Sequence, residues 1–176
     1  MYLINGVLMS YVVVTSCSSR KAIPKERRVA ADALQEGQLK DVASQWIRML
    51  AQHSTNVCCG QLYQGRGVQE IKKAASELES PVWFISAGLG LVNIDQTIPA
   101  YNLTVSKGNS DFVGDKIVTL PFNSYLWWRE INRLRGNITL KSLISAHNDK
   151  LFLLALPSNY FDMIAPELMM LTDSEL

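Results

Sequence analysis

Residues 15–21 read Thr-Ser-Cys-Ser-Ser-Arg-Lys and follow a β-branched run. Ser16, Ser18 and Ser19 are small enough to let backbone N–H groups approach an anion, and Arg20 and Lys21 add positive charge. Cys17 lies among them, and neighbouring cations favour the thiolate, the form that attacks an electrophile. The stretch offers two chemistries. One is an anion cradle built from Ser16, Ser18, Arg20 and Lys21; the other is a nucleophile at Cys17. The alternatives are a polar turn with solvated bases and a thiol that packs at a strand end.

Residues 82–92, Val-Trp-Phe-Ile-Ser-Ala-Gly-Leu-Gly-Leu-Val, form a second candidate. Ser86, Gly88 and Gly90 would bring bare backbone to the site as a second wall, or simply make a turn. The Gly-x-Gly lacks the third glycine and the helical pattern of a dinucleotide fingerprint, and no Gly-Lys-Ser/Thr follows as in a phosphate loop. Tyr63 and Arg66, in Leu-Tyr-Gln-Gly-Arg-Gly, precede a helical stretch from which side chains reach a ligand; an N-terminal turn is the alternative. Asp95 is the carboxylate that would serve as a base, since no paired carboxylates stand out. His53 and His147, the only histidines, stand in neither metal nor triad spacing, so no metal and no cofactor is expected. Of Trp127 and Trp128, one ring is expected in the core and the other at the surface, where it would suit base stacking.

The elements that would position these residues follow from periodicity. Residues 11–15 are continuously β-branched or aromatic, the pattern of a strand buried on both faces. Leu39, Val42, Ala43, Trp46, Ile47 and Leu50 recur at helical spacing against Lys40, Asp41, Gln45 and Arg48. A second helix spans 68–78 with Val68, Ile71, Ala75 and Leu78 on one face, and Pro81 separates it from a strand over 82–85. Residues 93–114, rich in Asn, Thr, Ser, Gly and Asp, are expected as a long ordered loop of the kind that carries function. A short strand over 116–120, a helix over 124–134, a third apolar strand over 151–156 and a helix over 160–171 complete the chain. Strands alternating with helices predict a mostly parallel sheet with helices on both faces, in one domain over 1–176. Ligands of such sheets bind beyond the carboxyl ends of the strands. The ending at 172–176, soon after the last helix, leaves open a truncated sheet.

A net charge of +1 gives no global basic or acidic field, although residues 20–28 carry five basic side chains against Glu26. Cys17, Cys58 and Cys59 make no disulfide framework, which fits a reducing cytoplasm. Val14-Thr15-Ser16-Cys17 is passable as a lipobox, making a lipoprotein lipidated at Cys17 an alternative. The preceding residues, however, lack the Lys or Arg of a signal peptide, and Asn5-Gly6 interrupts them. Residues 1–8 are readable as an extension ahead of a start at Met9. No run approaches the ~20 apolar residues of a membrane span, so no membrane partner is expected.

Four segments, residues 12–21, 60–75, 82–92 and 98–106, together resemble an uncharacterised bacterial domain family. Its pattern is Ser-Cys-x-x-Lys, Leu-Tyr-x-Gly-Arg, Ser-Ala-x-x-Gly-Leu and Pro-x-Tyr-x-Leu-Thr. Arg20 stands where that first loop carries its cation, and Lys21 follows one place later. More distantly, the pattern is similar to YaaA-type peroxide-stress proteins and to the accessory domain of archaeosine transglycosylases, whose fold is uracil-DNA-glycosylase-like. The resemblance implies a Rossmann-like or uracil-DNA-glycosylase-like three-layer sandwich, and it adds Tyr101 to the ligand-binding candidates. It also implies nucleotide or nucleic-acid binding, with activity on a nucleobase or its glycosidic bond, in DNA modification or phage defence. A non-catalytic subunit with protein partners in such a system is the rival reading.

Overall fold

A computed structural model describes residues 2–4, 7–54, 56–119 and 121–171. Met1, the Asn5-Gly6 interruption, Thr55, Leu120 and the ending 172–176 lie outside the described residues. The chain opens with an antiparallel pair, β1 (Tyr2–Ile4) and β2 (Val7–Met9), and then enters β3 (Tyr11–Ser16). A 3-10 turn at Lys25–Arg27 leads to β4 (Val29–Ala30), a second turn at Ala31–Ala33 and helix α1 (Leu39–Gln52). Next come β5 (Asn56–Cys58), the short α2 (Cys59–Leu62) and α3 (Arg66–Glu77). Four strands follow: β6 (Val82–Ser86), β7 (Gly90–Asn93), β8 (Thr97–Pro99) and β9 (Tyr101–Asn102). The last part holds a 3-10 turn at Val113–Lys116, α4 (Ser124–Arg135), α5 (Leu140–Ala146), β10 (Leu151–Ala155) and α6 (Ser158–Leu168).

The main sheet has the order β10-β3-β6-β7, with the first three strands parallel and β7 antiparallel. In β3 the consecutive residues Val12, Val13, Val14 and Thr15 are all buried, so both faces of this inner strand are covered, as its β-branched run predicts. The protein is therefore α/β, with a mixed, mostly parallel sheet. Helix α1 turns Val42, Ala43, Trp46 and Leu50 inward, and α4 packs against α1, α6 and β7. The lipobox-like residues Val14, Thr15 and Ser16 are the end of β3. Cleavage before Cys17 would take the inner strand out of the sheet, which weighs against the lipoprotein alternative.

Several expectations are corrected. Residues 116–119, the described part of the strand expected over 116–120, form no strand: Lys116 ends a 3-10 turn, and Ile117 makes an isolated bridge to Gly37. Residues 93–114 are not simply loop. Their apolar positions Ile98, Ala100, Tyr101, Leu103 and Val105 are core, and β8 and β9 pair with β5 and β4. Trp128 is as buried as Trp127, so neither ring is a surface platform for bases. The apolar β10 is an edge strand, with Leu151, Leu153 and Leu154 exposed by 47, 40 and 38 %. Among the described residues no helix is long and apolar enough to cross a membrane.

Candidate functional site

From β3 the chain goes to β6 on one side of the sheet and later returns to β10 on the other. The winding thus reverses between β3 and β10, where the loops leaving adjacent parallel strands part and open a crevice at their carboxyl ends. A cavity of about 470 Å³ lies there. One wall is the loop after β3, with Ser16, Cys17, Ser18 and Lys21. The facing wall is the first turn of α6, after β10, with Pro157, Asn159 and Tyr160. The stretch from Asn102 through Thr104 to Asp111 forms the third. The walls are tied together. Thr15 Oγ1 donates to the Ala155 carbonyl at 3.0 Å, and Asn159 Nδ2 donates to Ser106 Oγ at 2.7 Å. The Cys17 thiol and the Tyr160 hydroxyl share a contact of 3.1 Å.

Lys21 bridges to Tyr63 in antiparallel fashion, which carries its side chain over the aromatic rings below. Its Nζ lies 4.8 Å from the Tyr101 ring centroid and 6.0 Å from that of Tyr63. It makes no hydrogen bond or ion pair among the described residues. Burial lowers the pKa of this ammonium below its ordinary value; Cys17 opposes that shift, Arg28 adds to it and Asp111 opposes it. Arg28 staples the loop: Nε donates to the Ile23 carbonyl at 2.6 Å, Nη2 to that of Lys21 at 3.3 Å, and Nη1 to Asn102 Oδ1 at 2.8 Å.

Tyr63, Ser86 and Tyr101 also come together, but beneath the cavity and fully buried. Ser86 Oγ and the Tyr101 hydroxyl are 2.6 Å apart, and the two tyrosine hydroxyls share a hydrogen bond of 2.9 Å. Burial raises both tyrosine pKa values, so the hydroxyls stay neutral and serve as a polar tie under Lys21. Because β3 and β6 pair side by side, Cys17 and Ser86 leave the sheet at the same end. Their fates then differ.

Residues 86–90 turn straight back into β7 as a hairpin inside the protein, so Gly88 and Gly90 do not line the cavity. A Cβ on Gly88 would stand 2.6 Å from Tyr101 Cε2 and 3.2 Å from Trp46 Cζ2. Gly90 adopts φ +73°, and a Cβ there would meet the Asn132 side chain, which caps the turn by accepting from Leu91 N at 2.7 Å. These glycines admit aromatic and amide side chains rather than a ligand, which corrects the second-wall expectation.

Three more candidates fall away from the cavity. Arg20 is exposed and uses its carbonyl, which accepts from Ser18 Oγ and Gln64 N. The Arg66 side chain is 92 % exposed and pairs with Glu70 one helical turn on, at 2.8 Å. Asp95 follows β7, whose end Asn93 pairs with Trp83 near the start of β6. It is therefore at the opposite end of the sheet from Cys17 and cannot act as its base. Asp111 is instead the carboxylate on the cavity wall. Sequence reasoning also missed Arg28, Asn102, Thr104, Asn159 and Tyr160. Their signal was slight: Asn102 follows Tyr101, and Arg28 closes the basic run. Comparison of the chain with family models, curated proteins and solved structures finds no match.

Proposed function

We propose that the cavity binds a nucleotide, free or as a unit of nucleic acid, with the Lys21 ammonium on its phosphate. The carrying observation is that ammonium: partly desolvated, without a hydrogen-bond or ion-pair partner among the described residues, and on the wall of a cavity at the switch point of the sheet. An anion supplies the missing partner, and charge-assisted hydrogen bonds are the strong ones. The volume lies within the ~300–1,000 Å³ usual for small-ligand sites. The four segments that carry the family resemblance converge here, with Lys21 over Tyr101 and Tyr101 bonded to Ser86 and Tyr63, which supports reading them as one site. Activity on a nucleobase or its glycosidic bond would fall to Cys17 and Asp111, the thiol and the carboxylate on the cavity walls.

Equilibrium titration with mononucleotides and short oligonucleotides tests the reading. Lys21→Ala is expected to weaken binding roughly ten- to a hundredfold, the worth of a charged hydrogen bond. On oligonucleotides it should also flatten the plot of log affinity against log salt by about 0.7–0.9, one phosphate contact. A folded Lys21→Ala that binds as wild type does, at every salt concentration, refutes the reading.

A further inference from the structure

Asn102 ends β9, is 5 % exposed and lines the cavity. Its Oδ1 accepts from Arg28 Nη1 at 2.8 Å. A guanidinium carries donors only, so the amide must face Arg28 with its oxygen. Arg28 has no freedom to turn away, because its other nitrogens hold the Ile23 and Lys21 carbonyls. The Nδ2 amino group is therefore the end left to the cavity. It donates to no group among the described residues, and it is not sealed from solvent. A largely buried side chain is thus held with its amino group open to the cavity and bonded to nothing in the protein, so water or a ligand must supply the acceptor.

We propose that Asn102 reads an acceptor oxygen of the ligand and that Arg28 is its positioning residue. This rests on the nucleotide reading of the cavity and names the atom type that the site selects. A phosphoryl oxygen or a base carbonyl completes the amide; an exocyclic amino group would set donor against donor and leave both unpaired. Lys21, another donor on the same cavity wall, selects the same chemistry. Because Lys cannot accept, the pair favours ligands rich in oxygen acceptors.

The test uses the intact chain with inosine monophosphate, adenosine monophosphate and inorganic phosphate as probes. The two nucleotides differ at the six position, where one carries a carbonyl and the other an amino group. Asn102→Asp keeps the shape and the bond to Arg28 but replaces the donor with a charged acceptor. Asn102→Ala, which removes the donor without adding charge, is therefore measured beside it and must weaken the same probes; a folded Asn102→Ala that binds them as wild type does overturns the proposal. Asn102→Asp is expected to weaken inosine monophosphate binding roughly tenfold or more. If phosphate and adenosine monophosphate weaken in parallel, the oxygen is phosphoryl; if adenosine monophosphate holds or gains, it is the base carbonyl. Either result supports the proposal. A folded Asn102→Asp that binds all three probes as wild type does overturns it, whereas a wild-type protein that binds none removes the nucleotide reading itself. Arg28→Lys keeps the charge but not the fork. It should lower the affinity for the same probes severalfold, and unchanged affinity in a folded variant overturns the positioning role. Should Asn102→Asp not fold, the assigned side-chain amide resonances of Asn102 in ¹⁵N-labelled wild-type protein decide the matter. They should move on saturation with a bound probe, and their standing still overturns the proposal.

Discussion

The loop that leaves β3 and the turn that leaves β6 start side by side at one end of the sheet, yet only the first reaches the cavity. Both are built from small residues. In the first, small side chains leave an opening between β3 and α6, and polar atoms line it. In the second, the space beside Gly88 is already filled by the rings of Tyr101 and Trp46, with Trp46 Nε1 donating to the Gly88 carbonyl at 2.7 Å. The direction of the next strand makes the difference. After β3 the chain leaves the sheet for a long crossover, which opens a crevice; after β6 it folds back antiparallel, which closes one. Small residues at a strand end therefore mark close approach, and topology decides whether a ligand or the protein itself approaches.

The largest effect should come from filling the closed turn. Gly88→Val places branched carbons against the Tyr101 and Trp46 rings in a fully buried site. Overpacking of this kind costs about 3 kcal/mol. Urea unfolding should show the midpoint fall and nucleotide binding fall with it, because Tyr101 underlies Lys21. A Gly88→Val protein as stable as wild type that has lost only binding would restore Gly88 to the ligand site and erase the distinction between the two loops.

How much of this was legible in sequence depends on the range of the interactions. The inner strand β3 and helix α1 are set by local periodicity, and Val12–Thr15 and Trp46 lie where that periodicity puts them. The edge position of β10 was not legible, because Leu151, Leu153 and Leu154 are as apolar as interior residues would be. Asn102 was missed because its meaning lies in Arg28, 74 residues away, and no periodicity reports a pairing at that distance. Gly88 and Gly90 were placed at the correct end of the sheet but on the wrong side of its surface, since glycine signals closeness without naming the neighbour.

An intermediate effect, of opposite sign on stability and on binding, is expected in the open loop. Burial lowers the Lys21 pKa in the folded protein, while the unfolded chain keeps the ordinary value of 10.5. A lysine depressed in this way costs stability at pH below its folded pKa, and the cost fades as pH rises toward 10.5. Lys21→Met, which keeps the stem over the tyrosine rings, should therefore raise the thermal midpoint at neutral pH. The gain should shrink on the alkaline side. Ligand-free melts across that range check the sign, and a Lys21→Met protein that melts below wild type at neutral pH would make Lys21 a structural residue.

The smallest effects should come from the cations outside the cavity. On the motif expected from sequence alone, Arg20 would be the cation of the loop and hence the phosphate ligand. The structure turns its side chain to solvent and uses only its carbonyl, an interaction that any residue supplies. Arg66 is held by a single exposed pair with Glu70, of a kind that contributes little. Arg20→Ala and Arg66→Ala should each stay within about 0.5 kcal/mol of wild-type stability, as exposed substitutions do. Mononucleotide affinity should also be unchanged, because neither guanidinium lines the cavity. The contrast with Lys21, one residue along from Arg20, is sharp because the two variants remove the same charge from adjacent positions. Long-range attraction is nearly equal for both, so only contact separates them. If Arg20→Ala weakens mononucleotide binding as much as Lys21→Ala, the site works through its general positive field, and the unpartnered ammonium over Tyr101 is not its centre.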